Sequence, residues 1–310
     1  MEKTNGLSRD ATLDGDAYAG RFIQSRDGLS LFMREYGSRD DPGLPVICLP
    51  GLTRNSADFD PLARALAGGA AGGRRRRVLA VDYRGRGRSD HDPDWRKYSL
   101  PVESEDISCA LESADIHHAV FIGTSRGGLH AMLFAATRPN FVSAVVLNDI
   151  GPVIERSGLD RIKGYAGKYP PPRTISEATG FLKRIMGEQF EVPEEVWRAY
   201  ALMTFADEHG EIGPRYDPNV SQSFAVFDAN SPPDLWPLFE KLSIAPLLVL
   251  RGENSDILSA ETAEDMTRRH PDARLFIVPR QGHAPLLMDE PTIREIADFV
   301  SGVENGARAS

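Results

Sequence analysis

The sequence predicts an α/β fold in which helices flank a mostly parallel β-sheet. Short apolar runs recur along the chain, for example at residues 46–49 and 78–81, and continuous apolar runs are typical of strands covered on both faces. Segments with apolar residues at helical spacing separate these runs. Because strands that alternate with helices form parallel sheets, we expect reactive groups to gather at the carboxyl edge of one sheet.

The predicted elements begin with an antiparallel hairpin, because an Asp27-Gly28 pair separates two β-type runs. A proline in the first turn supports the helix predicted from residue 101. The apolar runs predict further strands at residues 46–49, 78–81, 119–122, 141–147, 246–250 and 274–278. Helical spacing predicts helices at residues 58–66, 101–114, 129–136, 260–269 and 292–300.

The middle of the chain differs in character from the rest. Prolines and charged residues become frequent there, and the apolar residues take helical spacing instead of forming strand-like runs. This pattern predicts a helical cap at residues 153–241, inserted into an α/β core of residues 19–152 and 242–303. Residues 1–18 are polar without periodicity and are expected to be a flexible leader, and residues 304–310 are expected to be a disordered tail.

Composition and charge argue against several classes of function. The chain has 36 Lys and Arg against 45 Asp and Glu, a net charge of −9 that disfavours a nucleic-acid partner. The run from Arg74 to Arg77 is interpreted as a solvated loop before a strand. The two cysteines of the chain, Cys48 and Cys109, form no Cys/His cluster that would indicate a metal or a disulfide framework. No apolar run approaches the roughly 18 residues that span a bilayer, so no membrane partner and a cytoplasmic location are expected.

The segment Gly123-Thr124-Ser125-Arg126-Gly127 is a candidate catalytic motif. It lies between the strand predicted at residues 119–122 and the helix predicted at residues 129–136. A G-x-S-x-G pattern between strand and helix is typical of a nucleophile elbow, in which a strained turn presents the serine hydroxyl. Glycines on either side remove side chains that would collide with the strand and the helix. Ser125 is therefore the predicted nucleophile.

A serine hydroxyl needs a base to take its proton and a carboxylate to orient that base. Among the seven histidines, His283 directly follows the last predicted strand, where it can reach the edge that carries Ser125. Asp256, which follows the preceding strand, is the predicted acid. Glu253 and Asp149 also follow strands, and each could in principle supply the carboxylate. The alternative for Asp149 is a turn residue whose side chain bonds to its own backbone.

An oxyanion hole needs two backbone N–H groups that point to the developing negative charge. The N–H of Arg126 is one candidate, because it directly follows Ser125. The second candidate is the N–H of Leu52, in the loop after the strand at residues 46–49, where Gly51 lets the backbone approach a substrate.

Together these features resemble the α/β-hydrolase superfamily over nearly the whole chain. The matching motifs are Pro50-Gly51, Asp82-x-Arg84-Gly85-x-Gly87-x-Ser89, Gly123-x-Ser125-x-Gly127, Gly252-x-x-x-Asp256 and Gly282-His283. The resemblance implies an α/β-hydrolase fold with a sheet of about eight strands and a helical cap, and no cofactor or metal. Within the superfamily, the chain is most similar to capped esterases, enol-lactonases and C–C bond hydrolases.

Three functions remain open at this point. The first is a serine hydrolase that cleaves a small-molecule carboxylic ester or lactone through an acyl-enzyme. The second is a C–C bond hydrolase of an acidic ring-cleavage product. The third is a ligand receptor that keeps the fold without catalysis, which an intact triad disfavours. A homodimer is also left open.

Substrate contacts are expected from Arg126 and from aromatic residues of the cap. The Arg126 guanidinium either binds a substrate carboxylate or pairs with an acidic group such as Asp149 or Glu253, and pairing is favoured. Trp197, Tyr200 and Phe227 give the cap its aromatic character, and they either contact the substrate or pack the cap helices together.

Overall fold

The computed structural model describes residues 18–168, 170, 172–207, 209–213, 215–226 and 234–306 of the 310-residue chain. Within them, eight strands form one sheet. The strands are β1 (Ala19–Gln24), β2 (Ser30–Tyr36), β3 (Val46–Leu49), β4 (Val78–Val81), β5 (Ala119–Thr124), β6 (Val142–Asn148), β7 (Leu247–Gly252) and β8 (Ala273–Val278). The α-helices are α1 (Asp60–Gly68), α2 (Leu100–Ser113), α3 (Arg126–Thr137), α4 (Arg156–Tyr165), α5 (Ile175–Met186), α6 (Glu194–Phe205), α7 (Trp236–Phe239), α8 (Ala260–Arg269) and α9 (Glu290–Gly306).

The order of the strands across the sheet is β1-β2-β4-β3-β5-β6-β7-β8. Strand β2 is antiparallel to both β1 and β4, and all other neighbouring strands are parallel. The predicted α/β class, the mostly parallel sheet and the hairpin around Asp27-Gly28 are therefore confirmed. Because β5 lies between β3 and β6, the loops that follow these three strands open side by side at the carboxyl edge.

The apolar strand runs arise because both faces of the sheet are covered. In β3, Ile47 and Leu49 belong to the core cluster that includes side chains of α2 and α3. Val46 and Cys48 point to the opposite face and pack with α1 and α9. The same alternation between the two clusters occurs in β5, β6 and β7, so these strands show no polar side.

The insertion between β6 and β7 is helical, as predicted. Helices α5 and α6 pack against each other around a separate apolar cluster that contains Leu182, Ala201 and Phe205. Helix α7, which lies inside the range predicted for the cap, contacts α3 instead. Its Phe239 is buried in the main core together with Leu242, so the last predicted cap helix packs as part of the core.

The second half of the arginine run before β4 is buried, although the whole run was expected to be a solvated loop. Arg76 and Arg77 are buried, and each has an acidic partner. Arg76 donates to Glu304 at 2.8 Å, and Arg77 donates to Glu35 at 2.5 Å. A buried guanidinium needs such a partner, since an unpaired charge in the core is costly. The solvated-loop interpretation therefore fails for the second half of the run.

The pairing with Glu304 also corrects the predicted tail. Helix α9 continues to Gly306, so residues 304–306 are helical. Residues 307–310 lie outside the described residues, as do residues 1–17 of the predicted leader. Within the described part of the chain, no helix is both long and apolar enough to cross a membrane.

Candidate active site

Ser125 occupies the tight turn that joins β5 to α3. Its φ of 51° lies in the left-handed region, which a residue with a side chain adopts only under strain. A Cβ atom on Gly123 would lie 2.4 Å from the carbonyl carbon of Gly127, and a Cβ atom on Gly127 would lie 2.0 Å from the carbonyl oxygen of Leu49. Both glycines are therefore required for the turn to fit between strand and helix.

His283 contacts the Ser125 hydroxyl from the loop after β8. Its Nε2 lies 3.0 Å from Ser125 Oγ, and its Nδ1 lies 2.8 Å from Asp149 Oδ2. Since an ionised carboxylate only accepts hydrogen bonds, Nδ1 carries the proton and Nε2 is left to accept one from the serine. The three side chains form a continuous hydrogen-bonded series from hydroxyl to carboxylate.

The carboxylate in this series is Asp149, not the predicted Asp256. Asp149 directly follows β6, is fully buried and has a φ of 58°. Its Oδ1 accepts a hydrogen bond from the backbone N–H of Gly252 at 2.8 Å, and its Oδ2 accepts one from Ser255 Oγ at 2.6 Å. The Asp149 side chain thus reaches across to the loop after β7, which is why the turn-residue alternative is also wrong.

Asp256 pairs with the cap and does not take part in the hydrogen-bonded series of Ser125 and His283. Arg161 of α4 donates to it from Nε at 2.6 Å and from Nη2 at 2.8 Å. Although burial by itself would raise the pKa of Asp256, the bonds from Arg161 lower it overall. Glu253 is engaged elsewhere, because its Oε2 accepts the backbone N–H of Arg280 at 2.7 Å. Of the three candidate acids, only Asp149 is left to orient the imidazole.

The two predicted oxyanion donors lie beside the nucleophile. The N–H of Arg126 stands at the first position of α3, where it has no partner within the helix. Gly51 lets the loop after β3 lie close to the nucleophile, since a Cβ atom on Gly51 would lie 3.9 Å from Ser125 Cβ. The next residue, Leu52, lines the same cleft as Ser125. Neither N–H is bonded to another described residue, so both are available to an oxyanion.

A buried carboxylate on α2 connects the two donor residues. Glu103 Oε1 accepts from Arg86 Nη1 at 2.6 Å, and Arg86 Nε in turn donates to the carbonyl oxygen of Leu52 at 2.9 Å. Glu103 Oε2 accepts from Arg126 Nε at 2.7 Å and lies 3.1 Å from His130 Nε2. Burial by itself would raise the pKa of Glu103, but Arg126 and Arg86 hold it well below its ordinary value. Its charge therefore ties both halves of the predicted oxyanion hole together.

The structure decides the role of the Arg126 side chain. It is only 7% exposed, donates to Glu103 and to the carbonyl oxygen of Tyr98 at 3.2 Å, and does not line the cleft. This geometry supports the pairing interpretation over contact with a substrate. Its partner is neither Asp149 nor Glu253.

A cleft opens above Ser125 and His283, between the sheet edge and the cap. The cleft and the solvent-open space at its mouth together amount to about 1280 Å³. Most of the wall is apolar, and its aliphatic and phenyl side chains include those of Leu52, Phe59, Ile162, Phe181, Leu182, Ile185, Met186, Phe205, Leu286 and Leu287. Such a wall suits a substrate with a substantial apolar part.

The three cap aromatics that the sequence singled out have different positions. Tyr200 lines the cleft, so its contact with a substrate stays a prediction. Trp197 does not, because it is buried against Phe190 with 5.9 Å between the ring centroids. Phe227 lies outside the described residues. Among the residues that are described, no group of three or more His, Cys, Asp or Glu side chains is placed to hold a metal ion.

Sequence reasoning missed Arg54 and Asp58, which also line the cleft. Their spacing of four residues, directly after the predicted oxyanion loop, is the signal that could have found them, because residues four apart meet on one side of a helical turn.

Comparison with known proteins agrees with this architecture. The sequence pattern of the alpha/beta hydrolase fold matches residues 45–290. The chain is 31% identical over 291 residues to the 3-hydroxybutyrate-oligomer hydrolase of Cupriavidus necator, covering 91% of this chain and 97% of that protein. It is 27% identical over 289 residues to the 2-(acetamidomethylene)succinate hydrolase of Mesorhizobium japonicum, covering 92% and 98% respectively. The crystal structure of an alpha/beta hydrolase from Novosphingobium aromaticivorans matches with a TM-score of 0.81 and 38% identity, over 92% of this chain and 98% of that one.

Proposed function

The chain belongs to the alpha/beta hydrolase fold family, and we propose that it is a serine hydrolase that cleaves a carboxylic ester or lactone through an acyl-enzyme. One observation carries the proposal, namely the hydrogen-bonded series of Ser125, His283 and Asp149, with separations of 3.0 and 2.8 Å, at the cleft. Such a series converts a weak hydroxyl nucleophile into an effective one, because the imidazole takes the proton during attack.

In the first half of the reaction, Ser125 Oγ attacks the acyl carbon while His283 Nε2 takes the hydroxyl proton. Asp149 keeps His283 in the required tautomer and stabilises the imidazolium that forms. The backbone N–H groups of Leu52 and Arg126 receive the oxyanion of the tetrahedral intermediate, where one donor is worth roughly 3–4 kcal/mol of barrier. The imidazolium then gives its proton to the departing alcohol oxygen.

In the second half, a water molecule replaces the alcohol. His283 accepts a proton from this water as it attacks the acyl-enzyme, and the proton passes to Ser125 Oγ when the ester bond to the enzyme breaks. The products are the free acid and the regenerated serine. In a lactone the acid and the alcohol remain one molecule.

The alternative of a C–C bond hydrolase assigned the substrate carboxylates to Arg126 and to cap residues. The bonds of Arg126 to Glu103 and Tyr98 remove the support from Arg126. A receptor without catalysis is disfavoured because the series from Ser125 to Asp149 is complete. The cytoplasmic location and the homodimer stay predictions.

Covalent labelling tests the proposal directly. A fluorophosphonate probe should label the native protein at Ser125, and Ser125→Ala should abolish labelling while the protein keeps its melting temperature. The native protein should also hydrolyse short 4-nitrophenyl esters with a burst of nitrophenol. A native protein that neither labels nor hydrolyses these esters would contradict the proposal.

A further inference from the structure

Arg54 places a guanidinium in the cleft that holds Ser125 and His283. It lies two residues beyond Leu52 in the loop after β3, and its side chain is 14% exposed. Among the described residues that line the cleft, it is the only lysine or arginine. A fixed cation in a mostly apolar wall is the kind of polar group that orients a ligand.

Two contacts fix the orientation of this guanidinium. Nε and Nη2 of Arg54 donate to the two carboxylate oxygens of Asp58, at 2.6 and 2.7 Å. The Tyr200 ring covers one face, with 4.2 Å between the Arg54 Cζ and the ring centroid. Because the side chain is already held, a ligand that binds it has little rotamer freedom left to remove.

One edge of the guanidinium is left for a ligand. Asp58 occupies the edge formed by Nε and Nη2, and no hydrogen bond joins Nη1 of Arg54 to a described residue. The edge formed by Nη1 and Nη2 presents two parallel N–H groups, which match the two oxygens of a carboxylate.

Arg161 provides a contrasting case within the same chain. It makes the same two-bond contact with Asp256, at 2.6 and 2.8 Å, but its Nη1 donates to the carbonyl oxygen of Ile185 at 3.4 Å. Arg161 does not line the cleft. The two Arg–Asp pairs thus share their geometry, and only that of Arg54 faces the site.

We infer that Arg54 binds a carboxylate of the substrate, so that the enzyme prefers esters that carry a second, anionic carboxyl group. The inference rests on the proposed function, since it takes the scissile ester to lie at Ser125. Asp58 partly offsets the charge of Arg54 and repels a second carboxylate. We therefore expect about a tenfold preference from the charge-assisted bonds and not a larger one.

Matched ester pairs test the inference. On the acyl side, the pair is 4-nitrophenyl hydrogen glutarate and 4-nitrophenyl valerate. On the alcohol side, the pair is 3-(butyryloxy)propanoate and its methyl ester. For each pair, the measured quantity is the ratio of kcat/KM for the anionic ester to kcat/KM for the neutral one, at constant ionic strength.

The informative variant is Arg54→Met combined with Asp58→Asn, because Arg54→Met alone leaves a largely buried carboxylate unpaired. In at least one pair, the ratio should fall about tenfold in this double variant. Arg54→Lys should fall in between, since it keeps the charge without the planar fork. Arg161→Met combined with Asp256→Asn, the matched control, should leave both ratios unchanged.

Ratios that are equal in the native protein and the double variant, for both pairs, would overturn the inference. So would an equal loss in the double variant Arg161→Met and Asp256→Asn, because the effect would then not come from the cleft. Labelling of Ser125 by the fluorophosphonate, measured in every variant, separates this result from a failure of the proposed function. An unlabelled native protein contradicts the function itself, whereas a labelled protein with unchanged ratios contradicts only the role of Arg54.

Discussion

At the scale of single residues, Asp149 orients His283 because the neighbouring loop holds its carboxylate from two sides. The N–H of Gly252 and the hydroxyl of Ser255 each donate a hydrogen bond to the Asp149 carboxylate. These bonds keep the carboxylate from rotating away from His283. Asp256, four residues after Gly252, points to the cap and bonds to Arg161. The two aspartates therefore have separate roles, although both follow strands at the same edge.

The first prediction separates these two aspartates. Asp149→Asn should lower kcat on the order of 10⁴-fold, as expected when the orienting carboxylate of a Ser–His–Asp series is neutralised and the imidazole takes the wrong tautomer. Asp256→Asn, which is the control, should keep kcat within a few-fold and lower only the thermal stability. Steady-state kinetics with one 4-nitrophenyl ester measures both. A larger loss of kcat in Asp256→Asn than in Asp149→Asn would contradict the assignment.

The second prediction concerns the turn at Ser125. Gly127→Ala should prevent the turn from closing, because the new Cβ atom would lie 2.0 Å from the carbonyl oxygen of Leu49. We expect a lower melting temperature and the loss of fluorophosphonate labelling. Gly180→Ala is the control, since Gly180 lies in α5 with no other atom within 4 Å of its added Cβ. It should stabilise the helix by about 0.5–1 kcal/mol, and an equal destabilisation in both variants would argue against the steric explanation.

At the scale of secondary-structure elements, helix α2 supports the oxyanion loop and the start of α3 at once. Glu103 bonds to Arg86 and Arg126, while Asp106, one turn further on, forms two bonds of 2.6 Å with Arg84. Both carboxylates are buried and both pair with arginines. Only Glu103 connects to residues that carry the predicted oxyanion donors, so the two positions form a natural comparison.

The third prediction uses that comparison. Glu103→Gln should lower kcat by roughly 10- to 100-fold with little change in KM, because misplaced donors weaken binding of the oxyanion and not of the ground-state ester. Asp106→Asn should lower the melting temperature about as much as Glu103→Gln does, while its kcat stays within a few-fold of the native value. Kinetics and thermal unfolding of both variants provide the measurement. If Asp106→Asn lowers kcat as much as Glu103→Gln does, α2 acts only through general stability.

At the scale of the whole molecule, the buried charges make stability depend on pH. Burial lowers the pKa of His130 below its ordinary value of 6.5. The unfolded chain therefore binds a proton at His130 at a higher pH than the folded chain does. The stability that neutral His130 contributes is present above pH 6.5 and is lost as the pH falls, and Glu103, whose pKa is also lowered, adds a further loss at lower pH.

The fourth prediction follows from this loss of stability at lower pH. The free energy of unfolding should decrease as the pH falls from 7 to 5, and this decrease should be smaller in His130→Gln, which cannot gain the proton. Urea unfolding at a series of pH values measures the slope. Thr137→Ala, an exposed change at the end of the same helix, is the control and should keep the native slope. A slope in His130→Gln equal to that of the native protein would rule out His130 as the source.

The strands, most of the helices and the position of Ser125 could be predicted because they depend on residues close together in the chain. Apolar runs, helical spacing and the two glycines of the turn are local patterns, and the structure places β3, β4 and α8 at the predicted residues. His283 could be located because parallel strands end at a common edge. The sequence by itself thus determined the α/β class, the helical insertion and two of the three side chains in the hydrogen-bonded series.

Only the tertiary structure decided which carboxylate joins them. Asp149, Glu253 and Asp256 all follow strands at one edge, and the choice depends on the direction of each side chain after its turn, which residues from other elements determine. The same holds for Arg126, whose partner Glu103 lies 23 residues earlier on α2. Long-range pairs of this kind leave no periodic signal in a single sequence, because their spacing along the chain is set by the path of the backbone and not by a local repeat.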